Sequence, residues 1–289
     1  MRIDAHQHFW NYHSVRDAWI TEEMSILRRD YGPEDLRAEL RANGFDGSIA
    51  VQADQSEEET RFLLELAARH PFIVGVVGWV DLAAPDIEER LASFRSFEKL
   101  CGFRHIVQSE PDEQFMLRAE FRRGISCLSR FGFSYDILIY ARQLPAAIKL
   151  AESYPDQRFV LDHIAKPEIK ARKLEPWATQ MHELAALPNV FCKLSGLATE
   201  ADWENWKPDD CRPYLEAAWH CFGADRLMFG SDWPVCLLAG GYARAYSLVA
   251  EFLASQSAEE HGVFGVNAAR FYGVKSRGME DAREHGSAA

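Results

Sequence analysis

Two histidines close the first apolar segment of the chain, Asp4-Ala5-His6-Gln7-His8-Phe9-Trp10. Two residues apart on a strand, His6 and His8 point to one face. A neutral imidazole there can bind a divalent metal or polarise a carbonyl. The same spacing also suits two satisfied histidines near a chain terminus, and His-x-His alone does not separate the two. His163, after Leu161-Asp162, and Asp232, in Met228-Phe229-Gly230-Ser231-Asp232-Trp233-Pro234, end two other apolar segments and favour function. A carboxylate just beyond an apolar strand is costly to bury unless it is paired or metal-bound. Asp232 therefore reads as a general base or a metal ligand, against the alternative of a turn aspartate capping backbone N–H groups.

Other strand ends supply polar groups of a substrate-binding kind. Arg104 and Gln108, four apart on the fourth strand, share a face, and Gln52 ends the second. Arg104 could orient a carbonyl, a carboxylate or hydroxyls through its planar fork of donors, or could form a structural ion pair with Asp136 or Asp162. His105 points away from Arg104. Trp79 and Trp233, with Trp10, could wall a sugar ring, although tryptophan is often half-buried for packing alone. Lys166 and Lys193 are weaker candidates, and His70, His182, His220 and His261 fall on helices without an assigned role.

These residues need a scaffold that brings distant chain segments to one mouth. Eight short apolar segments recur: Ile3–Phe9, Gly47–Gln52, Ile73–Val80, Gly102–Val107, Ser134–Leu138, Phe159–His163, Val190–Leu194 and Leu227–Ser231. Each is rich in β-branched, aromatic or leucine residues. Amphipathic helical patterns fill the gaps. Pro33 to Asn43 is bounded by Pro33 and Gly44, and Ser56 with Glu59 forms a capping box. Ile87, Leu91 and Phe94 keep helical spacing, as do Leu144, Ile148 and Ala151, and Leu215, Ala218, Trp219 and Phe222. Alternating strands and helices over 289 residues predict a single-domain (β/α)8 TIM barrel spanning 1–275, with a disordered polar tail at 276–289. A doubly wound sheet would carry a glycine-rich phosphate loop after its first strand, where His6-Gln7-His8 stands instead.

With 47% hydrophobic and 26% charged residues the chain can bury a sizeable core. A net charge of −12 makes nucleic acid an unsuitable partner. The six cysteines form no Cys-x-x-Cys pair and read as reduced thiols of a cytoplasmic protein. The longest apolar run, Phe72 to Val80, is too short for a membrane span, and Met1 leads directly into a strand with no signal peptide.

Asp4 to Trp10, Gly102-Phe103-Arg104-His105, Leu161 to Pro167, Cys192-Lys193-Leu194-Ser195-Gly196-Leu197 and Phe229 to Pro234 together resemble the amidohydrolase superfamily. Within it they are similar to the sugar-lactone hydrolase branch of L-fuconolactonase-like and L-rhamnonolactonase-like enzymes. The resemblance implies a site at the C-terminal face of the barrel, with His6, His8 and His163 as metal ligands or carbonyl-polarising groups and Asp232 as the water-activating base. Superfamily members with two metals carry a carboxylated lysine or glutamate on strand four and a histidine on strand five. Here Arg104 and His105, and Ser134-Tyr135-Asp136-Ile137-Leu138, occupy those strands. The expectation is at most one divalent ion, zinc first, touching some of His6, His8, His163 and Asp232, or no metal requirement. The implied reaction is hydrolysis of a small lactone. A metal-dependent decarboxylase or amide hydrolase on the same barrel is the alternative enzyme, and a non-catalytic sugar-acid-binding protein the alternative of another class. A single pocket arginine suits a neutral aldonolactone, because each carboxylate of a dicarboxylate lactone would need its own charge-assisted partner.

Overall fold

A computed structural model describes residues 1–256 and 262–274. Eight parallel strands pair in chain order: β1 (Ile3–Gln7), β2 (Gly47–Val51), β3 (Ile73–Gly78), β4 (Leu100–His105), β5 (Ser134–Ile137), β6 (Phe159–Leu161), β7 (Val190–Leu194) and β8 (Leu227–Phe229). The ring closes where Asp232 N donates to His6 O at 2.9 Å and His8 N to Trp233 O at 2.7 Å. Helices α1 (Pro33–Ala42), α2 (Glu57–Arg69), α3 (Ile87–Phe94), α4 (Ala119–Phe131), α5 (Leu144–Ser153), α6 (Trp177–Ala185), α7 (Pro208–Phe222) and α8 (Tyr242–Ser255) follow successive strands, and α9 (Asn267–Tyr272) comes last. This is the (β/α)8 barrel expected from the alternation. The tail expected from 276 onward lies outside the described residues, as does His261.

Parallel strands covered on both faces read as near-continuous apolar runs, and nearly every strand residue is buried. One core lies inside the ring, where Ile3, Ala5, Ile49, Val51, Val77, Val160 and Met228 meet Phe271 and Tyr272 of α9. Phe271 packs on Phe191 near the start of β7, so α9 plugs the N-terminal end of the barrel. The larger core lies between strands and outer helices. What remains for polar residues is the opposite end.

Several boundaries differ from the sequence expectation in ways that matter there. β4 stops at His105, and Gln108 lies in a short 3-10 turn, Val107–Ser109, so strand alternation does not put it on the Arg104 face. β6 stops at Leu161, so Asp162 and His163 belong to the following turn. Half of the capping box at α2 forms: Ser56 Oγ accepts from Glu59 N at 3.2 Å. The Glu59 carboxylate instead accepts from the backbone N–H groups of Ala53 and Asp54, tying down the loop after β2. Burial pushes this carboxyl up to about 8.

Candidate active site

His6, His8, His163 and Asp232 converge at the C-terminal end of the barrel, all buried. His8 Nε2 lies 3.2 Å from His6 Nε2 and 3.3 Å from Asp232 Oδ1. The same carboxylate oxygen is 3.7 Å from His6 Nε2 and 3.9 Å from His163 Nε2. The close approach of β8 to β1 depends on Gly230, where a Cβ would stand 2.5 Å from that of His6.

A hydrogen-bond partner fixes the ring proton of His8. His8 Nδ1 meets the Val51 carbonyl at 2.8 Å, which can only accept, so a neutral His8 is bare at Nε2. His6 has donor-only neighbours on both ring nitrogens, Arg104 Nη1 3.3 Å from Nε2 and Lys193 Nζ 3.1 Å from Nδ1, with Asp162 Oδ1 3.4 Å from Nδ1 as the acceptor. The bare His8 Nε2, His6 Nε2 and a carboxylate oxygen of Asp232 therefore face one another. Such a convergence of lone pairs is satisfied by a proton or a cation, and His6, His8 and Asp232 form a group of suitable ligand spacing. The donor set fits a divalent ion, and His163 adds a further imidazole beside it.

Burial alone would raise the Asp232 carboxyl, but His163, His8 and His6 more than offset it and hold it well below the usual carboxylate range. Burial pushes His163 down to about 4 against the opposing pull of Asp232 and Asp162, and takes His6 well below its ordinary value. At neutral pH an ionised Asp232 carboxylate stands beside the neutral imidazoles of His6 and His163.

Arg104 points into the barrel and is almost wholly buried. Of the two ion pairs open to it in the sequence, it makes the one with Asp162, Nη1 to Oδ2 at 3.0 Å. It also donates to the Gln52 side chain, Nη2 to Oε1 at 2.9 Å, and to the Gln52 carbonyl. Gln52 thus reaches the site by holding Arg104. His105 does face away, with Nε2 2.7 Å from Glu110 Oε1 and its ring stacked on Phe115. Trp79 is half-buried and aims its indole N–H at His105 Nδ1, 3.4 Å away. Trp233 is buried in an aromatic cluster, its ring 5.2 Å from that of Tyr31 and 6.2 Å from that of Phe9. Trp10 is buried and donates to Arg29 O. The Gln108 side chain is not brought to the four central residues by any hydrogen bond among the described residues.

Sequence reasoning undervalued Lys193 and Asp162. Lys193 is fully buried, with Nζ 2.6 Å from Asp136 Oδ2, 2.9 Å from Asp162 Oδ1 and 3.1 Å from His6 Nδ1. Tyr272 of α9 donates to Asp136 Oδ2 at 2.7 Å. Two cations, Arg104 and Lys193, thus balance two anions, Asp136 and Asp162, beneath His6. Burial would raise Asp162, but Lys193, His6 and Arg104 hold it well below its ordinary value. The available signal was a lysine inside the apolar segment Val190-Phe191-Cys192-Lys193-Leu194 and an aspartate inside Ser134 to Ile137, since charges inside strands must be paired.

His163 sits in an unusual turn. Residues His163, Ile164, Ala165 and Lys166 have φ of 52°, 46°, 61° and 48°. His163 Nδ1 is held 2.8 Å from Ser195 Oγ, and Gly196 packs against the ring, where a Cβ would stand 2.7 Å from Nδ1.

The amidohydrolase family model matches residues 3–274. An L-fucono-1,5-lactonase of Burkholderia multivorans is 44% identical over 286 residues, 95% of this chain and 96% of that protein. An L-fucono-1,5-lactonase of Burkholderia ambifaria is 39% identical over 282 residues, 94% and 96% of the two chains. A crystal structure of a Burkholderia multivorans amidohydrolase with bound zinc superposes with a TM-score of 0.92 at 44% identity, covering 95% of this chain and all of that one.

Proposed function

The chain belongs to the amidohydrolase family, and from that premise we propose that it is a lactone hydrolase opening neutral aldonolactones, L-fucono or closely related configurations first. The observation that carries the reading is the convergence of His6, His8 and His163 on one oxygen of an ionised Asp232. The resemblance to two L-fucono-1,5-lactonases over almost the whole chain supports the substrate class.

Lactone hydrolysis needs an activated water, stabilisation of a tetrahedral oxyanion, and a proton for the departing ring oxygen. Asp232 is the base: ionised at neutral pH, it takes a proton from the attacking water as the new C–O bond forms. His163, with Nδ1 held by Ser195 Oγ, can carry its proton on Nε2 and donate to the oxyanion, and the buried Arg104 charge adds to this at longer range. Asp232 then returns its proton to the ring oxygen as the acyl C–O bond breaks, leaving the open hydroxy acid. His6, His8 and Asp232, with His163, would hold one zinc ion, which when bound would supply Lewis acidity toward the lactone carbonyl. Arg104 is already engaged by Asp162 and Gln52, so the guanidinium that could clamp a substrate carboxylate is committed. That favours neutral lactones over dicarboxylate lactones.

The test is proton release across a panel of aldonolactones and dicarboxylate lactones, with metal analysis of the same preparation. Preference for neutral lactones in kcat/KM and at most one bound ion per chain are expected. A preference for a dicarboxylate lactone of about tenfold, some 1.4 kcal/mol of transition-state discrimination, would overturn the substrate assignment. Two ions bound side by side would overturn the metal assignment.

A further inference from the structure

The turn that delivers His163 is wound in the left-handed sense, and each such residue costs about 1–2 kcal/mol relative to the right-handed form, with β-branched Ile164 among the worst placed. The surroundings sustain it. Lys166 N donates to His163 O at 2.8 Å, and the Trp177 indole donates to Ile164 O at 2.7 Å. Ile164 and Ala165 are wholly buried. In a three-residue turn, side chains at i and i+3 eclipse. The conformation that aims His163 at Asp232 therefore sends Lys166 out on the same side.

Lys166 Nζ stands 3.7 Å from Glu200 Oε1, the two side chains only 18% and 23% exposed. That separation marks an ion pair looser than a short direct hydrogen bond, so the ammonium's further donors and the carboxylate's further lone pairs stay open to another partner. Glu200 closes a short turn, Ala198–Glu200, beyond β7. Its backbone carbonyl accepts from Lys170 N at 3.0 Å, which joins the loops after β6 and β7.

We propose that Lys166 and Glu200 are specificity-determining residues that read a pair of ring hydroxyls, Glu200 accepting from them and Lys166 donating to them. The assignment rests on the lactone-hydrolase reading above. Both groups lie at the site electrostatically. Burial raises the Glu200 carboxyl, Lys166 opposes this, and the charge of Asp232 adds to the rise. The Lys166 charge likewise helps lower His163. A hydroxylated substrate satisfies both groups. A lactone without hydroxyls strips water from a half-buried carboxylate and ammonium and leaves them their long ion pair in place of short hydrogen bonds, the asymmetry by which polar sites reject analogues lacking a hydroxyl.

The test compares kcat and KM for an aldono-1,4-lactone and for γ-butyrolactone, the same ring without hydroxyls, in wild type, Glu200→Ala, Glu200→Gln, Lys166→Met and Lys166→Arg. Glu200→Ala and Lys166→Met are expected to lower kcat/KM on the aldonolactone at least about tenfold more than on γ-butyrolactone, chiefly through KM. Glu200→Gln and Lys166→Arg, which keep an acceptor and a donor in place, should recover part of that difference. Equal losses on both substrates would mean a general structural role and overturn the assignment, as would no loss on the aldonolactone. Wild-type protein that opens neither ring would instead refute the lactone-hydrolase reading, and this assignment with it. If the alanine and methionine variants fail to fold, the ratio of the two kcat/KM values in Glu200→Gln and Lys166→Arg decides: an unchanged ratio overturns the proposal.

Discussion

Replacing Lys193 by methionine, similar in length but uncharged, should expose how the site is held. In the native barrel Lys193 bridges Asp136 at 2.6 Å and Asp162 at 2.9 Å. Without it Asp162 retains Arg104 at 3.0 Å, but among the described residues Asp136 keeps only the Tyr272 hydroxyl at 2.7 Å. Removing one partner of a buried pair typically costs about 3–5 kcal/mol, because the surviving charge is left in a dry interior. That is a large part of the about 5–15 kcal/mol by which a domain is stable. Burial already favours the protonated form of Asp136, raising it to about 6, so the loss should be smaller at mildly acidic pH than at pH 8. Asp136→Asn in the same chain removes the orphan charge and should restore at least about 2 kcal/mol of the loss. Urea denaturation of the wild type, both single variants and the double variant measures this directly. A Lys193→Met variant within about 1 kcal/mol of wild type, or a double variant no more stable than that single one, would refute the charge-balance account.

Two further outcomes follow from the geometry. Gly196→Ala would set a Cβ 2.7 Å from His163 Nδ1 at a backbone φ of +64°; kcat on the best lactone should fall by about tenfold to a hundredfold through displacement of the imidazole, and wild-type kcat in a folded variant would contradict the placement. For pH dependence, Asp232 is held below the usual carboxylate range, His163 at about 4 and His6 well below its ordinary value, so the ionised base and a neutral His6 and His163 persist well into acid. The profile of kcat/KM should therefore be level from about pH 8 to about pH 5 and fall only below that; a fall centred near the ordinary histidine value would contradict it.

The barrel was legible because its strands are apolar on both faces and its helices carry ordinary start and stop signals, Pro33 before Gly44 among them. His6, His8 and Asp232 were legible as ionisable residues ending apolar segments. The turn holding His163 was not. Nothing in Asp162-His163-Ile164-Ala165 favours positive φ, and isoleucine argues against it; tertiary anchors such as the Trp177 indole impose it. Gln108 was misplaced because strand alternation was carried past the end of β4, where the chain turns. Glu200 carried no signal, since its position depends on how two loops cross.

The role proposed for Asp232 is to activate the water that opens a lactone. Its most direct test is the turnover of Asp232→Asn on the best lactone of the panel, measured by proton release beside a thermal unfolding curve. A folded variant whose kcat is lower by about a hundredfold or more is expected. A folded variant turning over near the wild-type rate would contradict it.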